Sequence, residues 1–97
     1  MTPTERAARF DKLSRMGCVV CRIVHHVYTP AMIHHLTGLK YRSTGKKAKD
    51  EHTIPLCDNH HQGHQGVHKM GMRPWEAAFG TQEYLLDYTN QIIAETH

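Results

Sequence analysis

The chain has 97 residues, enough for one domain around one small core, and its 39% hydrophobic and 22% charged composition is not that of a disordered chain. A formal net charge of +3 selects no class of partner by itself. No apolar run approaches the roughly 18 residues of a membrane span and no signal peptide is legible, which predicts a soluble chain in a reducing cytoplasm.

Thr2-Pro3-Thr4-Glu5 has the form of a capping box with proline in the first helical turn. Ala7, Phe10 and Leu13 then fall on one face and Gly17 suits a stop, so residues 3–15 are expected to form a helix packed over the core. Residues 17–22 hold Cys18-Val19-Val20-Cys21, a metal-type knuckle. A redox dithiol is the competing reading. It would want Cys18 to open a helix, and Val19 and Val20 are poor helix starters beside Gly17.

Residues 31–36 read as a short strand carrying His34-His35, and 53–56 as a second. Between them lies a loop with Lys40, Arg42, Lys46, Lys47 and Lys49, interrupted by Ser43, Thr44 and Gly45. These cations are candidate DNA-phosphate contacts, the plainer alternative being a solvated run of charge. Gly63 and Gly66 disfavour a regular helix until after His68. Pro74 in a first helical position and Gly80 at a stop bracket a short helix with Trp75, Ala78 and Phe79. Thr81 caps a last helix whose Leu85, Tyr88, Ile92 and Ile93 form an apolar stripe expected to pack on the first helix. The expected fold is therefore a single α+β domain: an N-terminal helix, a metal-stapled core over 17–72 and C-terminal helices over 74–96.

Two constellations carry chemistry. Cys18, Cys21, Cys57 and His60 form Cys-x2-Cys, a gap of 35 residues, then Cys-x2-His. Each half is a tight turn that aims two ligands at one centre, and a closed four-ligand shell is the mark of a structural zinc. In so short a chain a metal staple is an expected source of stability. The three cysteines cannot all pair with one another, which also favours zinc over a disulfide framework.

The second constellation is His34, His35, His61, His64 and His68. Adjacent residues of a strand face opposite ways, so His34 and His35 suit a division of labour. One imidazole would ligate an ion while the other activates water on the far side of a phosphate. His25, His26 and His97 are expected to be solvated.

Met32-Ile33-His34-His35-Leu36, a basic loop with a glycine, Thr53-Ile54-Pro55-Leu56-Cys57-x-x-His60-His61 and Gly66-Val67-His68 together resemble the HNH (His-Me finger, ββα-metal) endonucleases. Among them the pattern is most similar to the phage recombination-enhancement (Ref-like), RecA-dependent nucleases. It spans roughly residues 15–90, and Trp75-Glu76-x-x-Phe79-Gly80 also fits.

The resemblance implies a metal-dependent DNA endonuclease with His35 as general base and His34, His61 and His68 as ligands of a catalytic ion. It places the structural zinc on Cys18, Cys21, Cys57 and His60. It further implies Mg2+ or Mn2+, with Zn2+ as a further option, in the catalytic position, DNA as substrate and the RecA filament as a partner. By the same resemblance the setting is a bacterial host cytoplasm.

The family's middle asparagine is absent, with Asp50 or His52 in its neighbourhood, and His64 rivals His68 as the third ligand. The alternative function is a non-catalytic, zinc-stabilised DNA-binding module. Such a module needs the zinc ligands and has no use for paired histidines facing His61 and His68.

Overall fold

The computed structural model describes residues 1–38, 41 and 49–95. Of the candidate DNA contacts, Lys40, Arg42, Lys46 and Lys47 lie outside the described residues, as does His97, while Lys49 is described and exposed. In chain order the elements are α1 (Pro3–Met16), α2 (Val19–His25), β1 (Met32–His35), β2 (Thr53–Leu56), α3 (Asp58–His61), α4 (Val67–Met70), α5 (Met72–Phe79) and α6 (Gln82–Ala94).

Helix α1 starts where its sequence says it should. The Thr2 hydroxyl accepts from the Glu5 N–H at 3.1 Å, and the Glu5 carboxylate accepts from the Thr2 N–H at 3.0 Å. Leu13 and Met16 are buried and Phe10 is half-buried against the core, whereas Ala7 is exposed. The buried stripe is thus set one turn later than the sequence suggests. Gly17 ends the helix at φ 76, and a Cβ there would meet the Tyr28 ring at 2.7 Å and the Thr29 carbonyl oxygen at 2.8 Å. Only glycine lets the chain leave α1 while residues 28–29 pass so close.

Helix α2 is a difference from expectation. Val19 and Val20 are poor starters, yet both are fully buried, and that burial outweighs a propensity handicap of a few tenths of a kcal/mol. Cys18 caps the helix, its Sγ accepting from the Cys21 N–H at 3.5 Å. Helix α5 begins at Met72 rather than at Pro74. Proline sits third in that helix, where its missing N–H leaves no intrahelical bond unmade.

Strands β1 and β2 form an antiparallel pair with His34 opposite Ile54 and His35 opposite Thr53. All four residues of β2 are buried. Helix α1 packs on both strands and α6 on β2, with α6 also resting on α1 and α2. Leu13, Val19, Val20, Leu36, Ile54, Leu56, Trp75 and Leu85 form the centre of the core. This is a small α+β fold in which a two-stranded sheet is followed directly by α3. Its Cα radius of gyration, 12.8 Å, matches the ~13 Å of a packed chain of this size. Among the described residues, no helix is long and apolar enough to cross a membrane.

Candidate metal centres

The two Cys/His pairs lie at matching positions. Cys18 caps α2 and Cys21 lies in its first turn; Cys57 precedes α3 and His60 lies in its first turn. Residues three apart at a helix start lie on one side, so each short helix presents two donors inward. All four side chains are buried, and their ligand atoms lie within 4.8 Å of one another.

His60 uses Nδ1, which stands 3.2 Å from Cys57 Sγ, 3.5 Å from Cys21 Sγ and 3.7 Å from Cys18 Sγ. Cys21 Sγ and Cys57 Sγ are 3.8 Å apart. With Zn–S near 2.3 Å and Zn–N near 2.0–2.1 Å, a tetrahedron has edges of about 3.8 Å between sulfurs and about 3.5 Å between sulfur and nitrogen. The donors fit zinc. The cysteines are free thiols, and 3.8 Å is far beyond the ~2.05 Å of a disulfide.

Burial pushes the Cys18 thiol up to about 12, the neighbouring Cys57 and Cys21 adding to the rise and the backbone N–H groups of Cys21 and Cys57 opposing it. A thiolate in that position needs a cation beside it, which a bound metal ion supplies. Cys18 does open a helix, but it is buried in a converged donor set and carries none of the pKa depression of a reactive thiol.

The second cluster comprises His34, His61 and His68, whose ligand atoms also lie within 4.8 Å of one another. His34 is 3% exposed and its Nε2 has no hydrogen-bond partner among the described residues. The Nε2 atoms of His61 and His68 are 3.2 Å apart. Two imidazole nitrogens on one ion stand about 3.0–3.4 Å apart in octahedral or tetrahedral geometry, so this spacing fits shared coordination. His64 is exposed and outside the group.

Burial first, then the nearby His61 and His68, push His34 down to about 4, a side-chain hydrogen bond with Gln82 opposing them. His61 is lowered by burial and by His68 against the pull of Asp58. Both are therefore neutral at ordinary pH, the form that ligates a metal.

His35 points to the other face of the strand. Its Nε2 is 3.0 Å from Asp50 Oδ1, and the Phe10 ring stands edge-on at 6.3 Å between centroids. His25 and His26 are exposed, and His52 packs against the Tyr41 ring.

Three participants escape a reading of the sequence. Gln82 reaches His34 from α6 while its side chain is locked to the Thr37 backbone by two bonds, at 3.0 and 2.8 Å. Met32 Sδ lies against His61 Nδ1 at 2.8 Å. Arg9 forks onto the Thr53 hydroxyl and carbonyl at 2.9 and 2.6 Å. None has a local motif. Only the capping role of Thr81 hints that its neighbour Gln82 begins a helix.

Fold and donors together define a class: a small α+β domain gathering one buried Cys3His set and one three-histidine set of metal-ligand geometry. Residues 9–94 match the family described as a protein of unknown function (DUF968), and the chain belongs to that family. No curated protein matches it.

Proposed function

We propose that this chain is a metal-dependent DNA endonuclease of the HNH (His-Me finger) type, hydrolysing phosphodiester bonds in a recombination-linked, phage-derived setting. The observation that carries the reading is the split of His34 and His35 across one strand. His34 has a buried Nε2 without a partner among the described residues and groups with His61 and His68, while His35 lies on the opposite face beside a carboxylate. A zinc-stabilised binding module has no use for that division.

The order β1, β2, α3 supports a ββα-metal finger. The Cys3His set would hold the structural zinc and make folding and metal binding one equilibrium. Three imidazole donors with no carboxylate in the group would suit Zn2+ or Mn2+ better than Mg2+, which prefers oxygen donors. When bound, a divalent ion would supply charge stabilisation for the phosphate and the departing oxygen.

His34, held by Gln82, His61 and His68 would fix the position of that charge. His35 would take the proton of the attacking water. The basic loop around Lys46, Lys47 and Lys49 would meet backbone phosphates without regard to sequence. The RecA filament would be the partner that brings the substrate.

The deciding experiment is plasmid nicking by the purified protein in Zn2+, Mn2+ and Mg2+, with and without RecA filaments. The parent should cut, and His35→Ala should cut slower by roughly 10²- to 10⁴-fold with unchanged zinc content and melting temperature. A parent inactive with every ion and DNA form returns the chain to the binding-module reading.

A further inference from the structure

Asp50 stands where strand β2 is about to begin, and its carboxylate touches His35 from the side away from the three-histidine cluster. A carboxylate only accepts hydrogen bonds, so at 3.0 Å from Asp50 Oδ1 the Nε2 of a neutral His35 must carry the ring's single proton. The lone pair then belongs to Nδ1.

Helix α1 holds this arrangement from outside. Arg9 binds Thr53 through Nε and Nη2 and binds Asn90 Oδ1 at 2.9 Å. The Thr53 hydroxyl in turn donates to the Asp50 carbonyl at 2.8 Å. Thr53 is also the residue directly across the sheet from His35. The Phe10 ring stands perpendicular to the imidazole at 6.3 Å between centroids. Arg6 Nη1 lies 3.9 Å from the other carboxylate oxygen; that pair is exposed and adds little.

We propose that Asp50, anchored through Thr53 and Arg9 of the N-terminal helix, is the positioning residue of His35, fixing the Nε2–H tautomer so that Nδ1 faces the water to be deprotonated. The inference rests on the nuclease reading and deepens it. In the step, a water proton passes to Nδ1 as the water oxygen bonds to phosphorus, and the departing oxygen leaves with the electron pair of the broken P–O bond. The imidazolium so formed keeps its Nε2–H on the Asp50 carboxylate. Helix α1 thereby becomes part of the catalytic apparatus rather than a lid over the core.

The test uses the full zinc-loaded chain, ¹⁵N-labelled, in three forms: parent, Asp50→Ala and Asp50→Asn. Long-range ¹H–¹⁵N spectra read the tautomer of His35, identified by the signal lost in His35→Ala, and plasmid cleavage gives kcat and KM. The parent should show Nε2–H. Asp50→Ala should show mixed tautomers and a kcat lower by about 10- to 100-fold, with KM changed by less than about threefold.

Asparagine keeps the size of aspartate, but its amide N–H can donate to Nε2 and so select the Nδ1–H tautomer. Asp50→Asn should therefore lose the Nε2–H tautomer and fall in kcat at least as far as Asp50→Ala, a loss that a merely space-filling role would not give. An unchanged tautomer or unchanged kcat in Asp50→Ala overturns the proposal, as does a loss that follows falling melting temperature in both variants. A parent that cleaves nothing sinks the nuclease reading instead, and the spectra alone then decide whether Asp50 fixes the ring.

Discussion

Gly66→Ala tests whether the three-histidine cluster is a built site or an accident of loop packing. Gly66 has φ −88 and ψ 148, extended backbone that alanine adopts freely, so any effect must come from space. An added Cβ would stand 2.7 Å from both the carbonyl carbon and oxygen of His61 and 2.8 Å from the Gln62 nitrogen. Ordinary contact begins at 3.4 Å, so the backbones must part by about 0.7 Å, the difference 3.4 − 2.7.

His61 is on one side of that contact, and His68 follows Gly66 by two residues on the other. Their Nε2 atoms are now 3.2 Å apart, and metal–ligand distances tolerate displacements of only about 0.2 Å. The substitution should cost about 1–3 kcal/mol by overpacking and weaken the second site by about 10- to 100-fold. Three of the four Cys3His donors lie away from the displaced segment and only His60 adjoins it, so that set should keep its metal. Calorimetric titration of Mn2+ or Zn2+ into protein already holding one zinc, together with thermal melting, measures both effects. Equal second-site affinity in parent and variant would refute the reasoning.

Cys57→Ser should lose the tightly held zinc and unfold, because metal binding in such sites contributes on the order of 10 kcal/mol; metal analysis and circular dichroism check it. His60→Ala should do the same, losing structure first and activity only as a consequence. Acid should act through His34, which stays neutral in the fold down to about 4 while the unfolded chain protonates near 6.5. The unfolded state then binds more protons between those values, so stability is full above about pH 6.5 and falls as pH drops toward 4, by about 3 kcal/mol. Urea melts across that window without added ion should show the decline, and His34→Gln should show a smaller one.

The sequence yields most where the chemistry is local. Cys-x2-Cys and Cys-x2-His each sit on a single helix start, so their convergence depends on few torsions, and spacing alone exposes them. The opposite aims of His34 and His35 follow from strand period. What stays hidden is set by distant packing. Val19 and Val20 become helical because the core buries them. Gln82 reaches His34 from 48 positions further along the chain, a separation no motif spans. Choosing between His64 and His68 likewise needed the turn at Gly66, which brings His68 beside His61 and leaves His64 facing outward.

Trp75 is the single tryptophan of the chain and is fully buried. Its indole N–H donates to the Gln65 carbonyl at 3.1 Å, within the segment joining His61 to His68. On its other side the ring meets Phe79 at 5.7 Å, and Phe79 stands 4.9 Å from His60. One fluorophore is therefore tied mechanically to both donor sets. Loosening the Cys3His set would wet the indole through Phe79 and shift its emission to the red. A change confined to the three-histidine set would instead strain the indole's bond to Gln65 and alter intensity while the ring stays dry. The protein carries its own optical gauge, able to tell which centre an added ion or chelator has reached.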